Sequence, residues 1–282
     1  MDELTNILHS LKCSAWVKDK NLIDYMPDEV ETWFLDSQDS DIILNWCRQS
    51  GKTRSASFKI AHKAKFQPRS VQLLVSVTQR QAGILQKRVA EALREEVRGE
   101  WTEQGEFEVA EDPLDADSRM VKCSVLSLEL VNGSTVISAP ASEDAIRGYT
   151  PDSIYLDEGA RISDGVIDAI RPMRAAHPCQ LVVLSTPAGR RGWYWREWTS
   201  DDKIWIRSLV TADMCPRITK EFLEREKLKM SSEAMFRQEY YCEFIDLKGA
   251  LFSKEMIDKM FIDDGDSPSP VAKPWIGDIL AE

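Results

Sequence analysis

Along the chain, the spacing of apolar residues changes character near Asp41. Before it, Leu4, Ile7, Leu8 and Leu11 recur at helical intervals, so the segment from Met1 to about Asp36 predicts short amphipathic helices packed on a core. After it, short apolar runs alternate with crossover-length segments: Ile42 to Leu44, a loop, a helix from Ser55 to Ala64, then the strand Val71 to Val77. This rhythm belongs to a parallel sheet with crossover helices. A long helix is predicted from about Arg80 to Arg98, with Ile84, Leu85, Val89 and Leu93 on one face. Strands at Ser124 to Leu130 and Thr135 to Ser138 flank Asn132-Gly133, a hairpin signal. Asp152 to Leu156 and Gln180 to Leu184 read as buried strands, which makes at least five. The expected fold class is α/β, a mostly parallel central sheet flanked by helices.

Beyond Leu209 the residues are helix formers. Thr219 is placed to cap a helix from Lys220 to about Met230, and a second helix is predicted from Ser231 to Tyr241. The expected organisation is a core with its N-terminal helical segment over 1–210, a small helical subdomain over 211–252 and a tail over 253–282. The stretch from Asp263 to Ala272 has linker composition. No internal repeat occurs.

Composition narrows the functional classes. At 282 residues and 43% hydrophobic, the chain can bury a sizeable core in one large or two modest domains. A formal net charge of -11 excludes a protein that coats nucleic acid over its whole surface, so any such contact would be a local patch. The six cysteines include no C-x-x-C pair and have few histidines to join them, which favours reduced thiols over structural zinc. The first residues are acidic, and no apolar run approaches the ~18 residues of a membrane span. A soluble protein without a membrane partner is expected.

The most specific chemistry follows the first strand, in Asn45-Trp46-Cys47-Arg48-Gln49-Ser50-Gly51-Lys52-Thr53. A tight loop running into a helix points successive N–H groups and the helix N-terminus at one concave site, which suits a polyphosphate. Arg48, Gln49, Ser50 and Gly51 would line it, Lys52 would reach the β- and γ-phosphates, and the Thr53 hydroxyl would ligate magnesium, as in a Walker A loop. Trp46 stands where the consensus has its first glycine. Gly-Lys-Thr alone can also be a surface turn.

Ser153-Ile154-Tyr155-Leu156-Asp157-Glu158 supplies the expected partner, an apolar strand ending in two carboxylates at the tip where a parallel sheet opens its crevice. Asp157 would hold the metal through its water shell, and Glu158 would orient and deprotonate the attacking water. Alone, such a pair is usually structural; after a phosphate loop it reads as catalytic. Ser185, Thr186 and Pro187 end another apolar run, where hydroxyls can sense the γ-phosphate, although a plain strand-ending turn has the same composition. Arg48 could fold over the γ-phosphate of its own subunit, and Arg147 could reach a neighbour's nucleotide as a finger; ion pairs with acids are the structural alternative for both. Arg54, Lys59, Lys63, Lys65 and Arg69 read as a solvated face.

The ordered set of motifs resembles the ATPase domain of the large terminase subunit of tailed bacteriophages over about residues 25 to 252. Carrying the resemblance are Cys47 to Thr53, Ile146-Arg147-Gly148, Ile154 to Ala160, Leu184 to Gly189, Val75 to Gln81 and Phe236 to Phe244. It implies a packaging motor that hydrolyses ATP, with Mg2+, to drive double-stranded viral DNA into a procapsid. Lys52 and Thr53 would then contact phosphate and magnesium, Asp157 the magnesium side, and Glu158 would be the base. Ser185, Thr186 and Pro187 would couple hydrolysis to motion, Arg48 would be the loop arginine and Arg147 the finger in trans. The implied partners are the portal protein, the small terminase subunit and further copies in a ring, in the host cytoplasm and transiently at the portal vertex. Two departures accompany it. Glu31 stands where relatives carry an adenine-recognising glutamine, and the family's nuclease domain would begin near Lys273, so DNA cleavage by this chain is not expected. The alternatives are a helicase-like P-loop ATPase and an assembly module without productive hydrolysis; the joint presence of Lys52 and Glu158 speaks against the latter.

Overall fold

The structure, a computed structural model, describes residues 12–19, 25–38, 41–94, 99–101, 107–109, 120–175 and 178–245. The predicted helix carrying Leu4 to Leu11, the end of the long helix at 95–98 and the tail over 253–282 lie outside them. Helices α1 (Cys13–Asp19) and α2 (Glu29–Asp36) lead into β1 (Asp41–Trp46), α3 (Lys52–Phe66), β2 (Val71–Ser76) and α4 (Gln79–Arg94). A two-stranded ribbon, β3 (Gly99–Trp101) and β4 (Phe107–Val109), precedes β5 (Met120–Cys123), β6 (Ser127–Leu130) and β7 (Thr135–Pro140). The chain continues through α5 (Glu143–Ile146), β8 (Ser153–Asp157), α6 (Asp164–Met173), β9 (Gln180–Ser185), α7 (Gly192–Thr199) and β10 (Trp205–Val210), and the last elements among the described residues are α8 (Lys220–Lys229) and α9 (Glu233–Tyr241).

Eight strands form one sheet in the order β10-β1-β9-β8-β2-β7-β6-β5. Pairing is parallel from β10 to β7 and antiparallel among β7, β6 and β5. The α/β class, with a mostly parallel sheet, is therefore as expected, and the Asn132-Gly133 turn does join an antiparallel pair. The run predicted as one strand from Ser124 to Leu130 is instead the turn between β5 and β6, followed by β6.

The interior strands are buried on both faces, which is why they read as continuous apolar runs. Their side chains alternate between two cores. Ile42, Leu44, Leu74, Tyr155, Val182 and Leu184 face the cluster under α3 and α4, whereas Ile43, Leu73, Ile154, Leu156 and Val183 face α6 and α7. On α4, Leu85, Val89 and Leu93 are buried as expected, but Ile84 is 46% exposed, one position outside the stripe. Among the described residues, no helix is long and apolar enough to cross a membrane.

The basic residues after the loop do not form the solvated face that their sequence suggested. Lys59, Lys63 and Lys65 are buried, because α3 packs against α2 on one side and the sheet on the other; Arg54 and Arg69 remain exposed. The Lys59 ammonium donates to the carbonyls of Phe34 (2.9 Å), Leu35 (3.1 Å) and Ser37, closing the C-terminal end of α2. The Lys63 ammonium donates to Ser153 Oγ at 2.7 Å and Gln180 Oε1 at 2.6 Å, tying α3 to the starts of β8 and β9. Lys59→Met keeps the volume but strands these carbonyls, so it should cost ~2–3 kcal/mol, seen as a lower urea midpoint with unchanged slope.

Candidate active site

Trp46 is the last residue of β1, paired in register with Val210, so the position where the consensus has glycine is extended backbone rather than a turn. Its side chain is buried, packs edge-on against Phe34 and donates its indole N–H to Ser208 Oγ at 3.0 Å. The turn begins only at Cys47. Gln49 (φ 61°) and Gly51 (φ 92°) both adopt the left-handed region that brings successive N–H groups round to one side, and Lys52 opens α3.

The outer wall at Gly51 is an ion pair that sequence reasoning did not assign. Arg217 donates through Nη2 to the Ser50 carbonyl (2.6 Å) and to Glu31 Oε1 (2.9 Å), and through Nη1 to Glu31 Oε2 (3.3 Å). A Cβ on Gly51 would lie 2.4 Å from Glu31 Oε1 and 2.9 Å from Arg217 Nη2, so the glycine is required by space as well as by φ. Glu31 is 1% exposed; it also accepts from the Asp28 N–H (3.1 Å) in the capping box of α2 and from Ser55 Oγ (3.3 Å). Nothing local marks Arg217, because its partner is 186 residues away.

Between β1 and β8 lies β9, so the ends of three adjacent parallel strands meet the loop at one edge of the sheet. The β8 end contributes Asp157, which is 7% exposed and whose Oδ1 has no hydrogen-bond partner in the protein. Burial, then the neighbouring Glu158 charge, pushes its carboxyl up to about 6, against the opposing pull of Lys52 and Arg88. Further buried oxygens without a protein partner are close by in the fold: Asn45 Oδ1 near the end of β1, Ser50 Oγ in the loop, and Ser76 Oγ, whose residue pairs with Asp157 in register. The carboxylate and amide oxygens suit a hydrated cation, and the two hydroxyls could donate to phosphate oxygens. Among the described residues no group of three acidic, His or Cys side chains could bind a metal. Thr53 and Asp157 could hold a magnesium ion there.

Glu158 follows with φ 55°, a strained conformation for a residue with a side chain, and it turns its carboxylate to Arg161 in a direct hydrogen bond. At the β9 end, Ser185 Oγ donates to the Thr186 carbonyl (2.7 Å) and accepts from the Ala160 N–H (3.0 Å), joining the Ser185-Thr186-Pro187 segment to the turn after Glu158. All three residues of that segment are buried.

The C-terminal helices fasten onto the loop. The Arg48 N–H donates to the Glu239 carbonyl (2.9 Å), Asn45 Nδ2 to the Cys242 carbonyl (3.2 Å) and the Cys47 N–H to the Val210 carbonyl (2.8 Å). Cys47 also packs into the small core formed by Leu223, Phe236, Tyr240 and Cys242. The Arg48 side chain is 68% exposed and 3.8 Å from Glu239. Arg147 is not brought to the loop: it pairs with Glu143, one turn back, at 2.8 Å and lines a surface hollow with Gly165, Asp168 and Met173.

A parallel sheet whose first strand runs through a glycine-dependent loop into a helix, with carboxylates at the tip of another strand, defines the P-loop nucleotide-triphosphatase fold. Residues 43–259 match the family model for the terminase large subunit, T4likevirus-type, N-terminal, and the chain belongs to that family. Among solved structures, the large terminase ATPase domain of Thermus phage P74-26 is 23% identical with a TM-score of 0.62, over 81% of this chain and 98% of that one. The large terminase of bacteriophage HK97 is 16% identical with a TM-score of 0.61, over 83% and 55%. A large terminase from a thermophilic bacteriophage, solved in complex with ADP, is 16% identical with a TM-score of 0.55, over 77% and 52%. These likenesses establish the fold, and the chain spans about half the length of the latter two proteins. No curated protein matches the sequence.

The buried Asp157 charge works against folding. With its folded value near 6 and an ordinary value of 3.8, stability is lost as pH rises between the two and stays lost above, by at most ~3 kcal/mol. In magnesium-free buffer Asp157→Asn should accordingly raise the melting temperature at pH 8, and the gain should vanish near pH 4.

Proposed function

We propose that the chain is the ATP-hydrolysing motor domain of a viral DNA-packaging terminase, a reading for which membership of the large-subunit family is the broad support. The observation that carries it is the meeting of the Cys47 to Thr53 loop with Asp157, one of whose carboxylate oxygens has no partner, and Glu158 at one sheet edge. In this reading Arg48, Gln49, Ser50, Gly51, Lys52 and Thr53 bind the nucleotide. N–H groups of the loop and the start of α3 receive the phosphates, and Lys52 neutralises the β- and γ-oxygens. Thr53 and Asp157 would hold magnesium, which would neutralise charge developing on the phosphates. Glu158 takes a proton from water as its oxygen bonds to the γ-phosphorus and the β–γ bridging bond breaks, leaving ADP and phosphate. Arg48 adds charge at the γ-phosphate from the same subunit, and Arg147, which is exposed and pairs with Glu143, serves a neighbour's nucleotide in a ring.

Ser185, Thr186 and Pro187 would pass phosphate loss onward, since Ser185 already joins the β9 tip to the segment after the base. The segment 211–252, of which 246–252 lie outside the described residues, acts as a lid, and the bonds of the Cys242 and Glu239 carbonyls to Asn45 and Arg48 let movement of the loop reach α9. The partners in this reading are double-stranded DNA, the portal protein, the small terminase subunit and further copies of the chain.

Phosphate release and nucleotide binding test the assignment together. Lys52→Ala should weaken binding of an ATP analogue by at least tenfold, and Glu158→Gln should bind it normally while turnover falls roughly 10²–10⁴-fold. Unchanged turnover in either would remove the site. For Arg147, mixing Arg147→Ala with Glu158→Gln subunits should restore part of the activity lost by each alone; assembled rings without recovery would exclude a role in trans.

A further inference from the structure

Near the loop edge of the sheet, one register row crosses five adjacent parallel strands: Leu44 on β1, Leu184 on β9, Asp157 on β8, Ser76 on β2 and Pro140 on β7. Only Asp157 and Ser76 in that row have polar side chains, and they are neighbours. Two residues back on the same strands, Tyr155 and Leu74 lie in the core under α3 and α4. By the alternation of a strand, Asp157 and Ser76 therefore face that side as well, toward the helix that Lys52 and Thr53 begin. Both are buried, Ser76 at 1% exposure, and neither Ser76 Oγ nor Asp157 Oδ1 has a hydrogen-bond partner in the protein, each other included. On its far side Ser76 meets Pro140, whose ring carries no polar atom, and Asp157 meets Leu184. Alanine or valine at position 76 would leave nothing unpaired, whereas a buried hydroxyl without a partner is unfavourable. The two oxygens call for a third group that both can bind.

A hydrated cation supplies such a group. Magnesium dehydrates reluctantly and keeps several of its waters, so protein atoms reach it in part through water. A water bound to a metal gives a lone pair to the ion and has two protons left to donate, which matches two acceptors side by side on one face. We propose that Ser76 is a positioning residue for the metal: Ser76 Oγ and Asp157 Oδ1 accept the two protons of one water in the ion's shell, so that two strands rather than one orient that shell. This rests on the reading of Asp157 as the metal-side carboxylate given above. Ser76 has no charge, and the phosphate contacts come from the loop and α3, so its effect is confined to the metal. Nucleotide bound without magnesium does not sense it.

Magnesium titration of nucleotide binding tests the role, with a non-hydrolysable ATP analogue as the probe. Ser76→Ala should raise the magnesium concentration that gives half of the metal-dependent gain in affinity about fivefold to tenfold. In excess EDTA the variant should bind the analogue as the wild type does. Its thermal midpoint in metal-free buffer should equal or exceed the wild-type value, because an unpaired hydroxyl has been removed. A wild-type magnesium requirement in Ser76→Ala, or equal weakening with and without the metal, would overturn the proposal. So would a clear loss of thermal stability in metal-free buffer, or failure to fold, since the hydroxyl would then already be paired within the protein. Asp157→Asn with the wild-type magnesium requirement would instead remove the metal assignment itself, a result distinct from any of these.

Discussion

The parallel hydrogen-bond ladders that place β9 between β1 and β8 are the constraint on which everything at the site depends. They align strands that are far apart in sequence so that Trp46, Asp157 and Ser185 end at the same edge. Parallel pairing needs crossover connections, and these supply the helices that bury both sheet faces. The two cores in turn exclude water from the strands, leaving their polar tips as the place where charge is held with little solvent. A slip of one residue in β8 would turn Asp157 to the other face and separate the carboxylate from the loop.

The site itself is where the local rules of folding are broken. Gln49 and Glu158 adopt left-handed conformations, Asp157 is buried without a partner for one oxygen, and Ser50 and Ser76 keep unpaired hydroxyls. Each is unfavourable on its own, and such concentrations of strain and unmet hydrogen bonding are expected where a ligand completes the structure. The surrounding frame offsets the cost. Glu31 and Arg217 wall the loop, Lys59 and Lys63 anchor α3, and the small core around Cys47 ties α9 to the turn.

Legibility in the sequence follows the range of the interactions. The interior strands and the turn after β1 were readable because continuous apolar runs and glycine-dependent turns are local signals. The last strand, β10, was not predicted: at the sheet edge it exposes Ile206 and Leu209 and carries Arg207 and Ser208, so it shows neither a buried run nor clean alternation. Helix α6 was hidden by Gly165 and Pro172. The basic stretch after the loop misled because a lysine's charge says nothing of the carbonyls and amides that a fold brings to it. The pairs Glu31–Arg217, Glu239–Arg161 and Glu239–Arg48 could not be read at all, since each joins residues from distant parts of the chain.

What began as an imperfect phosphate-binding consensus is, in three dimensions, an ordinary turn preceded by a strand residue that has no need to be glycine. The loop is held by groups from both ends of the described chain, the Arg217 side chain with Glu31 of α2 on one side and the Glu239 carbonyl of α9 on the other. A crystal structure with a non-hydrolysable ATP analogue and magnesium tests this account most directly. It should show the phosphates in the Cys47 to Thr53 turn, the metal at Thr53 and Asp157, and Arg48 on the γ-phosphate. A nucleotide bound elsewhere, or bound in the loop with Asp157 remote from the metal, would contradict it.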